Sequence, residues 1–169
     1  EPQGRWESNG GARFVAGDSS FVDMTDSIHL RDATATDRDA IAGLLTELGH
    51  PTEADEIPAR LASTLREGGA VILAVDDGGR PLGLMCLARL TVLHSGPIAY
   101  ITTLVIAPSA RRRGVGQRLV EEAKRWARAQ RCVRLSVTSA ERREDAHAFY
   151  PACGLPYTGR RFATPIEQD

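Results

Sequence analysis

Between Ile101 and Val120 the chain reads ITTLVIAPSARRRGVGQRLV, and this order of parts restricts the fold more than any other stretch. A β-branched apolar run stops at Pro108, a basic turn carries Gly114 and Gly116, and the residues after them are patterned as an amphipathic helix. Strand, glycine turn and helix in immediate succession build an anion cradle. Glycine permits a tight turn and a close approach of ligand to backbone. The opening turn of the helix aims unpaired N–H groups, and the positive end of its dipole, at whatever sits there. Arg111, Arg112, Arg113 and Arg118 add fixed positive charge. A phosphate-bearing ligand is therefore expected on this loop.

Two common phosphate loops do not fit. A Walker loop needs Gly-Lys-Ser/Thr after its glycines, and none is present. A dinucleotide fingerprint wants a third small residue and an acidic residue on the next strand; here stand Leu119 and a strand-like run, Val133–Thr138, without a carboxylate. The stretch instead resembles the acetyl-CoA signature of the GNAT N-acetyltransferases, Arg/Gln-x-x-Gly-x-Gly/Ala, matched by Arg111, Gly114 and Gly116. A glycine-rich strand-to-helix turn with solvated arginines is the plainer reading of the same residues. A second segment adds to the resemblance. Ala146, Phe149, Tyr150 and Gly154 match the family's closing Ala-x-x-Phe-Tyr-x-x-x-Gly, with Leu155 where an aromatic usually follows. The resemblance runs from about Ile28 to Phe162.

The resemblance implies an α/β fold, a mixed central sheet flanked by helices, with acetyl-CoA as co-substrate. It assigns pairing with the pantetheine arm to Leu104, Val105 and Ile106. It assigns the pyrophosphate to the loop and first helical turn, Arg111, Arg112, Arg113, Gly114, Val115, Gly116, Gln117 and Arg118. Arg143 either holds coenzyme phosphates or faces solvent. Tyr150 becomes the acid that protonates the leaving thiolate, because a phenol (pKa about 10) can give a proton to a thiolate (about 8.5) at modest cost. The alternative for Tyr150 is a core tyrosine whose hydroxyl rests on a backbone carbonyl.

The pattern breaks at the general base. Many family members carry a Glu on the strand before the loop or on the next one; here the matching positions are Tyr100, Thr102, Thr103 and Ser136. His94, His147 and Glu144 are the candidate substitutes, alongside water relays or an acceptor of lowered pKa. The run Arg142–Tyr150 followed by Gly159–Phe162 is similar to small-amine and aminoalkylphosphonate acetyltransferases, in which case Arg160 and Arg161 would pair with an anionic substrate group. Both also fit a solvated strand edge.

From Ser27 onward the pattern is regular, and one domain is expected over 27–169. A first strand carries Ile28 and Leu30. Thr36, with Asp39 three residues on, is expected to cap a helix whose apolar stripe is Ile41, Leu44, Leu45 and Leu48, closed by Gly49. A second helix carries Ile57, Pro58, Leu61 and Leu65. Ala70–Val75 and Leu82–Leu90 flank a turn sequence and predict a hairpin. Strand Ile98–Ile106, helix Gln117–Gln130, strand Val133–Thr138, helix Asp145–Gly154 and a last strand over Tyr157–Ile166 complete a βααβββαβαβ order. Glu1–Asp26, glycine-rich and aperiodic, is read as an extension without catalytic part, whether packed on its own domain or on a neighbouring subunit in a homodimer.

Composition narrows the partners. Twenty-one basic against 22 acidic residues leave a net charge of −1, with no basic field to draw the chain onto nucleic acid or a membrane. Cys86, Cys132 and Cys153 have no metal-ligand spacing, and a reducing cytoplasm is the simplest compartment. The expected activity is acetyl transfer from acetyl-CoA to the primary amine of a small molecule, by direct attack in a ternary complex. The alternatives are acetylation of a protein N-terminus or lysine, and a non-catalytic acyl-CoA-binding module.

Overall fold

The computed structural model describes residues 27–140 and 143–166; the expected extension over 1–26 lies outside the described residues. Five strands form one sheet in chain order: β1 (His29–Asp32), β2 (Ala70–Val75), β3 (Pro81–Val92), β4 (Gly96–Ile106) and β5 (Leu135–Val137). The first three pairings are antiparallel and β4 pairs with β5 in parallel. Helices α1 (Arg38–Leu48) and α2 (Ile57–Arg66) precede β2, α3 (Val115–Ala129) links β4 to β5, and α4 (Glu144–Ala152) follows.

The sheet is apolar on both faces, as strands covered on both sides must be. Val71, Leu73, Val75, Leu84 and Val105 pack with Ile41 and Leu44 of α1 and Ile57 and Leu61 of α2. Ile72, Ala74, Met85, Leu87 and Ile101 pack with Val115, Leu119, Val120 and Ala123 of α3. Trp126 is a partly buried member of this second cluster. The α1–α2 pair and α3 are thus held apart by the sheet.

The cap of α1 sits two residues earlier than expected. Thr34 and Asp37 form the capping box around a short 3-10 turn over Ala35–Asp37. The reason lies in β1: Arg31 donates twice to Asp37, at 2.7 and 2.9 Å, while the Thr34 amide donates to Asp37 at 2.8 Å. That bidentate pair fixes which Asp serves as the cap, and Thr36 only exchanges a hydroxyl contact with Thr34 at 2.7 Å. The Arg31 guanidinium and the Thr34 donors hold the Asp37 carboxyl far below the ordinary carboxylate range, against the opposing effect of its burial.

The last expected strand does not form. Residues 157–166 carry no strand, and Tyr157, Phe162 and Ile166 are exposed. A strand exists only through a partner, and β5 offers just three residues, already paired to β4 on one side. Pro156, Gly159 and Pro165 further weaken extended pairing there. Among the described residues no helix is long and apolar enough to cross a membrane.

Candidate active site

Two breaks in β4 shape the site. β5 pairs with β4 only at Ala99, Tyr100 and Ile101. Beyond that point β4 runs on to Ile106 while β3 still pairs on the other side. From Thr102 to Ile106 the second edge of β4 therefore has no strand partner among the described residues. Backbone donors and acceptors at such an edge remain available to a ligand.

The second break is a bulge. Cys86 pairs with Thr103 and Leu87 with Ile101, so Thr102 is the extra residue. An inserted residue resets side-chain alternation. Ile101 and Leu104 consequently pack on the α3 side, whereas Thr102 and Thr103 both line a cavity on the α1–α2 side. The Thr102 hydroxyl donates to the Cys86 carbonyl at 3.3 Å.

That cavity measures about 290 Å3 and is walled by α1 (Ile41, Leu45, Leu48), α2 (Ile57, Arg60, Leu61, Thr64) and the link between them (His50, Thr52). Its floor is Val71, Leu84, Cys86, Thr102 and Thr103. Gly49, at φ 89°, closes α1 in the left-handed conformation, and the His50 amide donates back to the Leu45 carbonyl at 2.9 Å. This helix stop turns the chain so that His50 reaches the cavity. Burial pushes the Cys86 thiol up to about 11 against the weaker opposing hydrogen bond with Thr103, so it is a neutral wall group at physiological pH. A larger hollow of about 420 Å3, lined by Glu67, Arg89 and Gln130 among others, opens at the far end of α3. Fifteen residues of helix, roughly 22 Å, separate it from the glycine loop.

The loop at the C-terminal end of β4 has the geometry of an anion cradle. Gly114 caps α3 with φ 80°, and Arg112 holds φ 60°, a left-handed conformation that costs a side-chain-bearing residue about 1 kcal/mol or more. The first i→i−4 bond of α3 runs from the Arg118 amide to the Gly114 carbonyl at 3.0 Å. The amides of Val115, Gly116 and Gln117 precede it and point out of the helix start. The Val115 side chain is core, 1% exposed, so only its amide can serve a ligand. A side chain on Gly116 would meet the Phe149 ring at 3.1 Å, and this close approach locks α3 against α4.

The arginines separate into different roles. Arg111 and Arg112 are exposed, while Arg113 is half-buried. Arg118 donates its guanidinium to the Ile28 carbonyl and so ties α3 to the start of the sheet. Arg143 caps α4 and lies close enough to Tyr150 to act on its ionisation.

Tyr150 lies near the end of α4, half-buried, with its ring edge-on to Phe149 at a centroid distance of 5.2 Å. Burial raises its pKa, and the Arg143 charge opposes that rise. Of the substitute bases, His94 sits in the β3–β4 turn, at the end of β4 away from the loop. At about 3.3 Å per residue it is roughly 20–25 Å from Thr102, too far to act there. His147 and Glu144 are exposed on α4 and do not line the cavity.

Residues 38–155, more than half of the chain, match the family model of the acetyltransferase (GNAT) family. The chain belongs to the GNAT acetyltransferases. It is 30% identical over 143 residues, 79% of this chain and 92% of the relative, to an aminoglycoside N(6')-acetyltransferase type 1 from Stenotrophomonas maltophilia. The fold agrees with that of aminoglycoside N-acetyltransferase AAC(6')-Iy in complex with CoA, at TM-score 0.76 and 20% identity, covering 88% of this chain and 100% of the other. A glucosamine-6-phosphate N-acetyltransferase from Arabidopsis thaliana matches at TM-score 0.73 and 15% identity, over 84% of this chain and 100% of that one. The enzyme is thus an acetyltransferase with the mixed sheet and flanking helices of its family.

The sequence missed the cavity walls. His50, after the Gly49 helix stop, and Cys86, without metal-ligand spacing, belong to no motif. A signal existed in α2, where Ile57, Arg60, Leu61 and Thr64 share one helical face that mixes apolar and polar groups. The Thr102 bulge left no local signal at all.

Proposed function

We propose that this GNAT enzyme transfers acetyl from acetyl-CoA to the primary amine of a small molecule, by direct attack in a ternary complex. The observation that carries this reading is the placing of Thr102 and Thr103, which belong both to the unpaired edge of β4 and to the floor of the α1–α2 cavity. A thioester on that edge and an amine in that cavity would meet at this point.

In this reading the loop amides of Val115, Gly116 and Gln117 hold the pyrophosphate, with Arg111 and Arg112 adding charge around it. Leu104, Val105 and Ile106 present the strand edge to the pantetheine arm. Positioning supplies the largest share of the acceleration, by turning a bimolecular step into an effectively unimolecular one. A free β4 amide polarises the thioester carbonyl. The amine nitrogen then attacks the carbonyl carbon, the carbon–sulfur bond breaks, and Tyr150 gives its proton to the thiolate. The proton lost from nitrogen passes through solvent and restores the phenol.

No carboxylate stands at Tyr100, Thr102, Thr103 or Ser136 to take the first proton. Keeping an alkylamine of pKa about 10.4 neutral at pH 7 costs about 4.6 kcal/mol. That is small enough for solvent to serve as the proton acceptor, and smaller for amines of lower pKa. A cavity of about 290 Å3 between two helices suits a small acceptor better than a peptide.

Release of free thiol from acetyl-CoA, measured with panels of small amines and of peptides, tests the reading. Small amines should support turnover. Turnover confined to peptides would establish the protein-acetylating alternative. Coenzyme binding without turnover on any amine would establish a binding module.

A further inference from the structure

The cavity proposed to take the acceptor is largely apolar, and among the described residues no acid group lines it. Seven of its described walls are aliphatic (Ile41, Leu45, Leu48, Ile57, Leu61, Val71 and Leu84), the rest being His50, four threonines, Cys86 and Arg60. A carboxylate is missing from that set, and its one permanent charge is the positive Arg60. A polycationic acceptor bound here would lose its hydration without gaining an ion pair, a large penalty for each desolvated ammonium. An aliphatic wall instead favours an apolar body.

The position of Arg60 adds the second half of the argument. It lies on the cavity face of α2, one turn from Ile57 and Thr64, and among the described residues its guanidinium is paired with Glu56, the residue that caps the start of α2. Both side chains are more than half exposed. An exposed local pair of this kind contributes little, so an incoming carboxylate can displace Glu56 and take a charge-assisted, two-point contact. The volume, about 290 Å3, is at the small end of ligand pockets, which run from about 300 to 1,000 Å3.

We propose that the acceptor is a small, apolar amine bearing a carboxylate, of the hydrophobic amino acid class, with its acid group on Arg60, its apolar side against α1 and α2, and its amine towards Thr102 and Thr103. This rests on the acetyltransferase reading above and departs from the aminoglycoside acceptors named for its relatives. The chemistry is unchanged: the amine gains the acetyl group, and coenzyme A leaves as the protonated thiol.

Thiol release should be followed with the full chain, acetyl-CoA and three acceptors: phenylalanine, phenethylamine and neamine. The expected order in kcat/KM is phenylalanine above phenethylamine, with neamine at least tenfold below phenylalanine. In Arg60→Gln the ratio of phenylalanine to phenethylamine should fall by roughly tenfold or more, mainly through KM, because a charge-assisted contact is lost. Arg60→Lys should restore part of that ratio. A preference for neamine would overturn the proposal while leaving the enzyme an acetyltransferase of small amines. An unchanged ratio in Arg60→Gln, or phenethylamine ahead of phenylalanine, would remove Arg60 from recognition and likewise overturn it. Silence from all three acceptors, and from the wider amine panel, would overturn both readings together.

Discussion

Tyr150 is the proton donor in the proposed reaction. Its hydroxyl is protonated at neutral pH, as for any tyrosine; burial raises its pKa further and the nearby Arg143 charge limits that rise. If that hydroxyl protonates the thiolate, Tyr150→Phe removes an interaction made only in the transition state. Turnover should fall by roughly 10²–10⁴-fold, with acetyl-CoA affinity and melting temperature nearly unchanged. A lower melting temperature with normal turnover would return Tyr150 to a packing role. Cys86 offers a separate residue-scale probe of the cavity. With its thiol pushed up to about 11, alkylation by iodoacetamide should be slow at pH 7 and should quicken about tenfold per pH unit towards that value. A bound acceptor should slow it, because Cys86 lies in the cavity floor. Labelling that ignores both pH and acceptor would place Cys86 elsewhere.

At the scale of elements, the two glycines of the loop have different duties. Gly114 owes its place to backbone conformation: a side chain there would meet no atom within 4 Å, yet φ is 80°. Gly116 owes its place to packing, with Phe149 at 3.1 Å from a would-be Cβ. Gly114→Val should therefore weaken coenzyme A binding by calorimetry, at a stability cost of about 1–2 kcal/mol. Gly116→Val should lose affinity and also about 1–3 kcal/mol from overpacking, part of which Phe149→Leu should restore. Additive losses in that double variant would show that the two positions do not touch. This contrast also explains what the sequence revealed. Strand, loop and α3 were legible because their signals are local: a β-branched run, a proline, two glycines and a helical stripe. The bulge at Thr102 was hidden because register is decided by the neighbouring strand. The tail over 157–166 misled for the same reason, since alternation predicts a strand but cannot supply the edge it needs.

At the scale of the molecule, the sheet separates two tasks. The α3–α4 side carries the glycine loop and Tyr150, the α1–α2 side carries the cavity, and Thr102 and Thr103 line that cavity where β4 runs on beyond β5. The start of α1 is held to β1 by Asp37, whose side chain is 12% exposed and accepts from Arg31 and Thr34. Because α1 brings Ile41, Leu45 and Leu48 to the cavity, this clasp should act on the acceptor and not on the coenzyme. The sign of its pH dependence follows from the direction of the shift. A carboxyl held below its ordinary range stabilises the fold once pH exceeds that range, and the contribution is lost as pH falls below about 4. Asp37→Asn should thus cost about 1–3 kcal/mol at pH 7 and progressively less in acid, which flattens the acid limb of the stability profile. In the same variant KM for the amine should rise while coenzyme A affinity stays constant, since the loop is anchored through β4 and Phe149 on the opposite face. Equal loss at both sites would mean that α1 and the loop move as one body, and that the sheet does not insulate acceptor from coenzyme.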